Sequence, residues 1–304
     1  MHRNGTLDYA RLLAAFGIVF FHVGTTGAAI GYAALPFFLL LLVVLSLPGA
    51  ARLSFPDYVK GRVQRLLLPW LIWSGVYGGL KLAELWVTGA PFRSEFAPHM
   101  LLTGPALHLW FLPFAFATCL ALYPLAHLAR RTGPESLVLM MLGCGLAVLL
   151  LRQEVSLPAP FAQWLYALPA VCVGIALALV WGRMHTMLLI LTGFTCAALL
   201  SGAHQGLLQI VLAACGLILC LVWHLPASRG AQLAGTLSLG VYLAHPLVLS
   251  VLSRTTPLAP DSVTLALLGC LGGLCLALGL HLIPHISIGL SRITPAGKMQ
   301  DTIS

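Results

Sequence analysis

The sequence predicts an all-α, polytopic membrane protein with about ten transmembrane helices. Hydrophobic residues make up 60% of its 304 residues and charged residues only 8%, a balance that soluble globular domains do not have. The mean hydropathy is +0.97. Apolar runs of about twenty residues, the length that crosses a bilayer as a helix, recur from one end of the chain to the other.

Proline, glycine and charged residues divide the chain into ten candidate spans joined by brief connections. The fifth and the seventh are short for a full crossing. Residues 1–290 are expected to form one transmembrane domain, and residues 291–304 a short cytoplasmic tail. The spans cover 7–27, 32–50, 66–88, 105–129, 136–152, 163–181, 185–201, 205–223, 234–254 and 261–285.

The basic residues predict the orientation of the chain. Eleven of the sixteen fall in connections on the side of the N-terminus, and an excess of basic residues marks cytoplasmic loops, so both termini are expected in the cytoplasm. Because these residues form no continuous face, the net charge of +8 does not indicate a nucleic-acid partner. The eleven are Arg3, Arg52, Lys60, Arg62, Arg65, Arg130, Arg131, Arg183, Arg229, Arg292 and Lys298.

The first span carries ionisable residues along one face. Asp8, Arg11 and His22 share this face, with Arg11 and His22 roughly 16 Å apart along the helix axis. Ionisable groups in a bilayer helix normally face a protein interior or a watery cavity, so this face predicts the active site. Because Asp8 and Arg11 interrupt the apolar segment, the helix is expected to be retained and not cleaved as a signal peptide.

Each of these groups has two interpretations. The imidazole of His22 can take a proton from a hydroxyl and return one to a leaving group, or it can bond a carbonyl for packing alone. Arg11 can bind a phosphate or orient a substrate carbonyl, and it can also form an ion pair with Asp8.

A basic segment follows the second span. Arg62 and Arg65 lie one helical turn apart beside Lys60, so both guanidinium groups can bind one polyanion. The alternative partner is the head groups of anionic lipids. In the third span, Lys81 and Glu84 are expected to form a local ion pair or to line the same cavity.

Two later segments add polar groups within apolar sequence. His108 and Trp110 open the fourth span, where they can line a site or lie at the membrane interface. Ser238, Tyr242 and His245 share a face of the ninth span, and the alternative for His245 is packing.

The sequence predicts no metal site. Its eight cysteines lie within apolar runs at spacings that do not suit zinc, which indicates small buried helix residues. They are Cys119, Cys144, Cys172, Cys196, Cys215, Cys220, Cys270 and Cys275.

Taken together, these segments resemble the acyltransferase-3 family of integral membrane acyltransferases. The resemblance runs over essentially the whole chain in the family's order, and the spacing between the arginine and the histidine of the first helix is its most specific part. It rests on Leu7-Asp8-x2-Arg11 with His22, Arg62-x2-Arg65, His108-Leu109-Trp110-Phe111-Leu112 and Tyr242-Leu243-x-His245-Pro246.

The resemblance implies ten helices in the bacterial inner membrane and an O-acyltransferase. Such an enzyme moves an acyl group, commonly acetyl, from cytoplasmic acyl-CoA to a hydroxyl of an extracytoplasmic or lipid-linked saccharide. Acyl-CoA is then a substrate, no cofactor is bound, and membrane lipid surrounds the protein. The functional positions implied are Arg11, His22, Arg62 and Arg65, and the chain is similar to the stand-alone members. The alternative is a saccharide or lipid carrier that uses the same polar faces as its path.

Overall fold

A computed structural model describes residues 4–283, and every regular element within them is helical. A π-helical turn (Val63–Leu67) joins α4 to α5, and a 3-10 turn (Leu107–Trp110) precedes α8. The helices are α1 (Gly5–Val23), α2 (Ala28–Gly31), α3 (Ala34–Arg52), α4 (Phe55–Arg62), α5 (Leu68–Thr88), α6 (Phe92–Glu95), α7 (Met100–Thr103), α8 (Phe111–Thr132), α9 (Pro134–Glu154), α10 (Phe161–Leu179), α11 (Met184–Leu200), α12 (Leu207–Val222), α13 (Arg229–Thr255) and α14 (Val263–Leu282).

The described part of the chain has eight helical segments that are long and apolar enough to cross a membrane, so the protein is a polytopic integral membrane protein. The seventh and eighth predicted spans are the apolar helices α11 and α12, with 17 and 16 residues. The expectation of a short fifth span is wrong, because that span is α9 with 21 residues. The predicted tail, 291–304, lies outside the described residues.

Helix α3 lies at the centre of the larger group of helices and contacts α1, α8, α10 and α12. Its residues Leu39, Leu40 and Val43 are fully buried. Gly174 of α10 packs directly on Leu40, where an added Cβ would lie 3.3 Å from the Leu40 Cα. Helices in lipid associate largely through such close van der Waals contact, since lipid tails are as apolar as leucine.

A second group consists of α1, α13 and α14, and its core contains Ala15, Val19 and Val241. The start of α1 is also bound to the end of α12. The side chain of Asn4 accepts a hydrogen bond from the Thr6 amide and donates one to the Cys220 carbonyl at 2.7 Å.

The helix bundle has a basic end and an opposite end. The basic end carries Arg11, Arg62, Arg65 and Arg130, and Arg130 donates to the carbonyl of Ala51 there. By the distribution of charge this end is the predicted cytoplasmic side. The opposite end carries Tyr32, Arg152, Tyr166 and Gly206 among other residues.

The cysteines only partly match their prediction. Cys119, Cys172, Cys220 and Cys270 are buried, whereas the remaining four are exposed, so the expectation that all eight are buried is wrong. The exposed ones are on helix faces turned away from the packed interior. These four are Cys144, Cys196, Cys215 and Cys275.

The backbones of α1 and α2 meet at Gly17 and Gly31, where a Cβ on Gly31 would lie 2.5 Å from the Gly17 carbonyl oxygen. We expect Gly31→Ala to destabilise the protein by about 1–3 kcal/mol, because the overpacked helices must separate. The midpoint of thermal unfolding in detergent, followed by circular dichroism, measures this loss.

Gly79→Ala is the matched control, since Gly79 is exposed on α5 and has no neighbouring atom within 4 Å of an added Cβ. It should leave the midpoint unchanged or raise it slightly, because alanine favours helix over glycine. An unchanged midpoint for Gly31→Ala would contradict the close contact between α1 and α2.

Candidate active site

A cavity of about 630 Å³ lies at the basic end between α1, α3, the π turn, α8 and α13. Three cationic side chains line it, with a wall of leucine and phenylalanine above them. A volume of this size is typical of a small-molecule site. The lining residues are Arg11, Ile18, Leu35, Phe38, Leu41, Leu42, Leu45, Ser46, Gly61, Arg62, Gln64, Arg65, Leu66, Leu68, Pro69, Phe111, Ser238, Leu239 and Tyr242.

The π turn positions the basic segment. Pro69 has no amide hydrogen to donate to the Arg65 carbonyl one turn earlier, and the amide of Leu68 instead reaches the carbonyl of Val63. The extra residue in this turn changes the direction of the side chains relative to a regular α-helix, and such turns are frequent at functional sites. Arg62 and Arg65 thereby line the same cavity. The proline was the sequence signal for this turn.

The Arg62 guanidinium is held against an aromatic ring. Its central carbon lies 4.8 Å from the centroid of Tyr58, which is fully buried and donates from its hydroxyl to the Cys119 carbonyl at 3.1 Å. A cation over an aromatic face is stabilised by the ring quadrupole, so Arg62 is restrained at the cavity wall. Arg65 and Lys60 are exposed, and Lys60 is not among the lining residues.

Arg11 forms the ion pair with Asp8 that the sequence predicts, and it also lines the cavity. Its Nη1 lies 3.7 Å from the Asp8 carboxylate, and its side chain also lines the cavity. Asp8 is 6% exposed and packs against Gly235 of α13, where any Cβ would collide with the carboxylate. The ion pair lets the carboxylate be buried while the guanidinium still faces the cavity.

Three histidines from separate parts of the chain meet at one place. The ring centroid of His245 lies 4.9 Å from that of His22 and 5.4 Å from that of His108. His108 and His245 are buried, whereas His22, in the last turn of α1, is exposed. We refer to His22, His108 and His245 as the histidine cluster. Within residues 4–283 no group of three or more His, Cys, Asp or Glu side chains is arranged to hold a metal ion.

The backbone of α13 determines the tautomer of His245. Pro246 cannot donate to the carbonyl of Tyr242 one turn earlier, and His245 Nδ1 lies 2.6 Å from this oxygen. A carbonyl oxygen only accepts, so Nδ1 carries the hydrogen and Nε2 has the lone pair. This Nε2 is buried without a hydrogen-bond partner among the described residues, beside the ring of His22. It is therefore an available acceptor for the N–H of His22.

Two tyrosines restrain the cluster. Tyr242 donates its hydroxyl hydrogen to the carbonyl of His108, and Tyr77 donates to the carbonyl of Leu243 at 2.8 Å. The Tyr77 ring also meets His108 edge-on, with 5.1 Å between centroids. Sequence reasoning missed Tyr77, because a single tyrosine in an apolar span does not reveal which helix it faces.

The cavity reaches to within one helical turn of the histidine cluster. Its lining includes Ile18, Phe111 and Tyr242, and each of these lies three or four residues from a histidine of the cluster. His22 follows Ile18 by four residues, His245 follows Tyr242 by three, and His108 precedes Phe111 by three. At helical spacing each pair shares a face, so the cluster continues the direction of the cavity.

Ser238 and Trp110 are the other candidate site residues from the sequence. Ser238 lines the cavity and donates to the Gly235 carbonyl at 2.8 Å. Trp110 is buried against Phe114, with ring centroids 5.7 Å apart, and is not among the lining residues.

The expected pair of Lys81 with Glu84 is wrong. Helix α6 folds back on α5 and brings the Glu95 carboxylate to 2.8 Å from Lys81 Nζ. Glu84 instead lies 3.8 Å from Arg254 of α13. Both contacts join residues that are far apart in sequence, so spacing along one helix did not reveal them.

The fold and the site together define a class of protein. It is a helical membrane protein in which a basic cavity lies below a histidine cluster. The model of the acyltransferase-3 family, described as an acyltransferase domain, matches the chain over residues 4–282. The chain belongs to this family and is an integral membrane acyltransferase. No curated protein and no solved structure matches it.

The tautomer argument makes a prediction about Pro246→Ala. The restored amide hydrogen of residue 246 competes with His245 for the Tyr242 carbonyl, so Nδ1 loses its exclusive bond. We expect the ¹⁵N NMR shifts of the His245 ring to move from one tautomer toward a mixture of two. Pro124→Ala, at the proline within α8, is the control and should leave them unchanged. Identical His245 spectra in all three proteins would contradict this origin of the tautomer.

Proposed function

We propose that this protein transfers an acyl group, acetyl in the first instance, from cytoplasmic acyl-CoA to a hydroxyl of an extracytoplasmic or lipid-linked saccharide in the bacterial inner membrane. One observation carries the proposal. A cavity with three arginines reaches to within one helical turn of three clustered histidines, one of which is exposed at the opposite end.

The basic end of the bundle is suited to bind acyl-CoA, the proposed donor. Coenzyme A carries phosphate groups, and guanidinium groups bind phosphate through paired, charge-assisted hydrogen bonds. Arg62 and Arg65 would hold these phosphates at the cavity mouth, with Lys60 exposed beside them. Arg11 lies deeper and can bind the polar pantetheine arm, while the apolar wall formed by Phe38 and Leu42 suits the acyl end.

His22 is the proposed general base. In the reaction one ring nitrogen would donate to the available acceptor Nε2 of His245, and the other would take the proton of the acceptor hydroxyl. The hydroxyl oxygen then bonds to the thioester carbonyl carbon, the carbon–sulfur bond breaks, and the proton passes to the sulfur of the leaving coenzyme A. For this step the thioester must pass the side chains of Ile18 and Phe111, which a change of side-chain rotamers would permit.

The lining of the cavity favours an enzyme over a carrier. A saccharide or lipid carrier needs a path between the two ends, whereas none of the three histidines of the cluster is among the residues that line the cavity. A narrow passage suffices for an acyl group on a thin arm. Isotope-labelled acetyl-CoA distinguishes the two functions, since a carrier would neither bind it nor release thiol.

We expect His22→Ala to lower the rate of thiol release from acetyl-CoA in the presence of a saccharide acceptor by about 10²–10⁴-fold, the usual contribution of a general base. Binding of acetyl-CoA should be unchanged. His127→Ala is the control, because His127 lies on α8 with its ring bonded to the Tyr123 carbonyl, away from the cluster. Full activity of His22→Ala would remove this imidazole from the mechanism.

The donor site is tested by Arg62→Gln and Arg65→Gln. Each removes hydrogen bonds to a charged phosphate, so we expect KM for acetyl-CoA to rise by about 10- to 100-fold per substitution, with a smaller change in kcat. Arg131→Gln removes an exposed cation of the same end and is the matched control. Equal KM values in all variants would place the donor elsewhere.

A further inference from the structure

Arg152 is a buried cation at the opposite end whose hydrogen-bonding capacity is only partly used. It lies in the last turn of α9, is 9% exposed, and donates from Nη1 to the Tyr166 carbonyl at 3.1 Å. Its Nε and Nη2 are buried and have no hydrogen-bond partner among the described residues. Burying such donors is costly unless something accepts from them, and adjacent guanidinium donors match the two oxygens of a carboxylate or phosphate.

A series of aromatic rings joins Arg152 to the histidine cluster. The guanidinium carbon lies 4.6 Å from the centroid of Tyr166, and the Tyr166 ring lies 4.9 Å from Tyr32. Tyr32 stacks on Phe21 at 4.0 Å, and Phe21 meets the ring of His22 edge-on at 5.4 Å. All three aromatic rings are partly exposed. Aromatic faces of this kind can pack against the apolar faces of sugar rings while the polar rims stay hydrated.

The connection between α11 and α12 lies directly over the guanidinium. Gly206 has φ +70°, and a Cβ there would lie 2.6 Å from Arg152 Nη2 and 2.9 Å from the Tyr166 hydroxyl. Only glycine fits this backbone conformation and this space. An oxyanion could reach Nε and Nη2 only if this connection shifted outward, and its residues His204 and Gln205 are exposed.

The other cationic side chains at this end either lie beside a carboxylate or are exposed. Lys81 is paired with Glu95, Arg254 lies beside Glu84, and Arg93 is exposed on α6. Among these, Arg152 alone combines burial, unused donors and a connection through rings to His22.

The geometry points to a binding site for an acidic saccharide, in which Arg152 binds an oxyanion of the acceptor and Tyr166, Tyr32 and Phe21 support its sugar rings up to His22. This inference rests on the proposed function, because it assigns the acceptor of that reaction. The oxyanion is either a carboxylate of the saccharide or the diphosphate that links a saccharide to a lipid, and the two share the chemistry that a guanidinium recognises.

The test compares three probes on purified protein in detergent. They are cellobiose, cellobiouronic acid, and glucose linked through a diphosphate to farnesol. Binding is measured by calorimetry without acetyl-CoA, and KM and kcat by thiol release with it. We expect wild-type protein to bind at least one acidic probe about 10- to 100-fold more tightly than cellobiose. Whichever acidic probe binds more tightly identifies the source of the oxyanion.

Arg152→Gln should remove this preference by raising KM for the acidic probe, with kcat and acetyl-CoA binding unchanged. Arg152→Lys should restore part of it, since the charge remains without the two-pronged geometry. Tyr32→Leu should weaken the binding of all three probes alike, because it removes an aromatic ring and no charge. Arg93→Gln, which removes an exposed cation of the same end, should behave as wild type.

Failure of the proposed function and failure of the Arg152 site give different results. Absence of thiol release with every probe, with acidic probes still bound through Arg152, would overturn the proposed function and support the site. Thiol release with equal use of neutral and acidic probes, or an acidic preference that survives Arg152→Gln, would overturn the site and leave the proposed function standing. Loss of acetyl-CoA binding in Arg152→Gln would assign Arg152 to the fold and overturn its role in the acceptor site.

Discussion

The carbonyl of Tyr242 is the group on which the arrangement of the site depends. In the interior of a membrane protein a backbone carbonyl without a donor is costly, and Pro246 removes the donor that a regular helix would supply. His245 bonds this carbonyl and is thereby held in one tautomer with its acceptor nitrogen beside His22. The hydroxyl of the same tyrosine bonds the carbonyl of His108. One residue of α13 thus restrains two of the three histidines and also lines the cavity.

The cations of the cavity and the histidine cluster lie toward different ends of the bundle. The cations that can bind a polyanion lie at the end where α1, α4 and the π turn meet, and the histidines lie one helical turn beyond Ile18, Phe111 and Tyr242 of the cavity lining. The distance left for a reacting group is therefore short. In the proposed reaction this arrangement would let a charged donor stay on one side and an acceptor approach from the other.

Glycines leave space between the helices for buried ionisable side chains. Gly235 leaves the space that the Asp8 carboxylate occupies, and Gly206 leaves the space for the Arg152 guanidinium. In both places a Cβ would collide with a charged side chain. The glycines therefore permit ionisable groups inside an otherwise apolar bundle, where each charge is stabilised by a partner or by an aromatic face.

The sequence by itself determined that the chain is a set of apolar membrane helices and that Arg62 and Arg65 lie together in one basic segment, because these features depend on composition and on spacing within one helix. Only the tertiary structure decided that His108 and His245 meet His22, that Lys81 pairs with Glu95, and that Arg152 lies behind a series of rings. These contacts join residues on different helices, and their partners depend on how the helices pack. Helical periodicity identifies the face that a residue occupies but not the helix opposite to it.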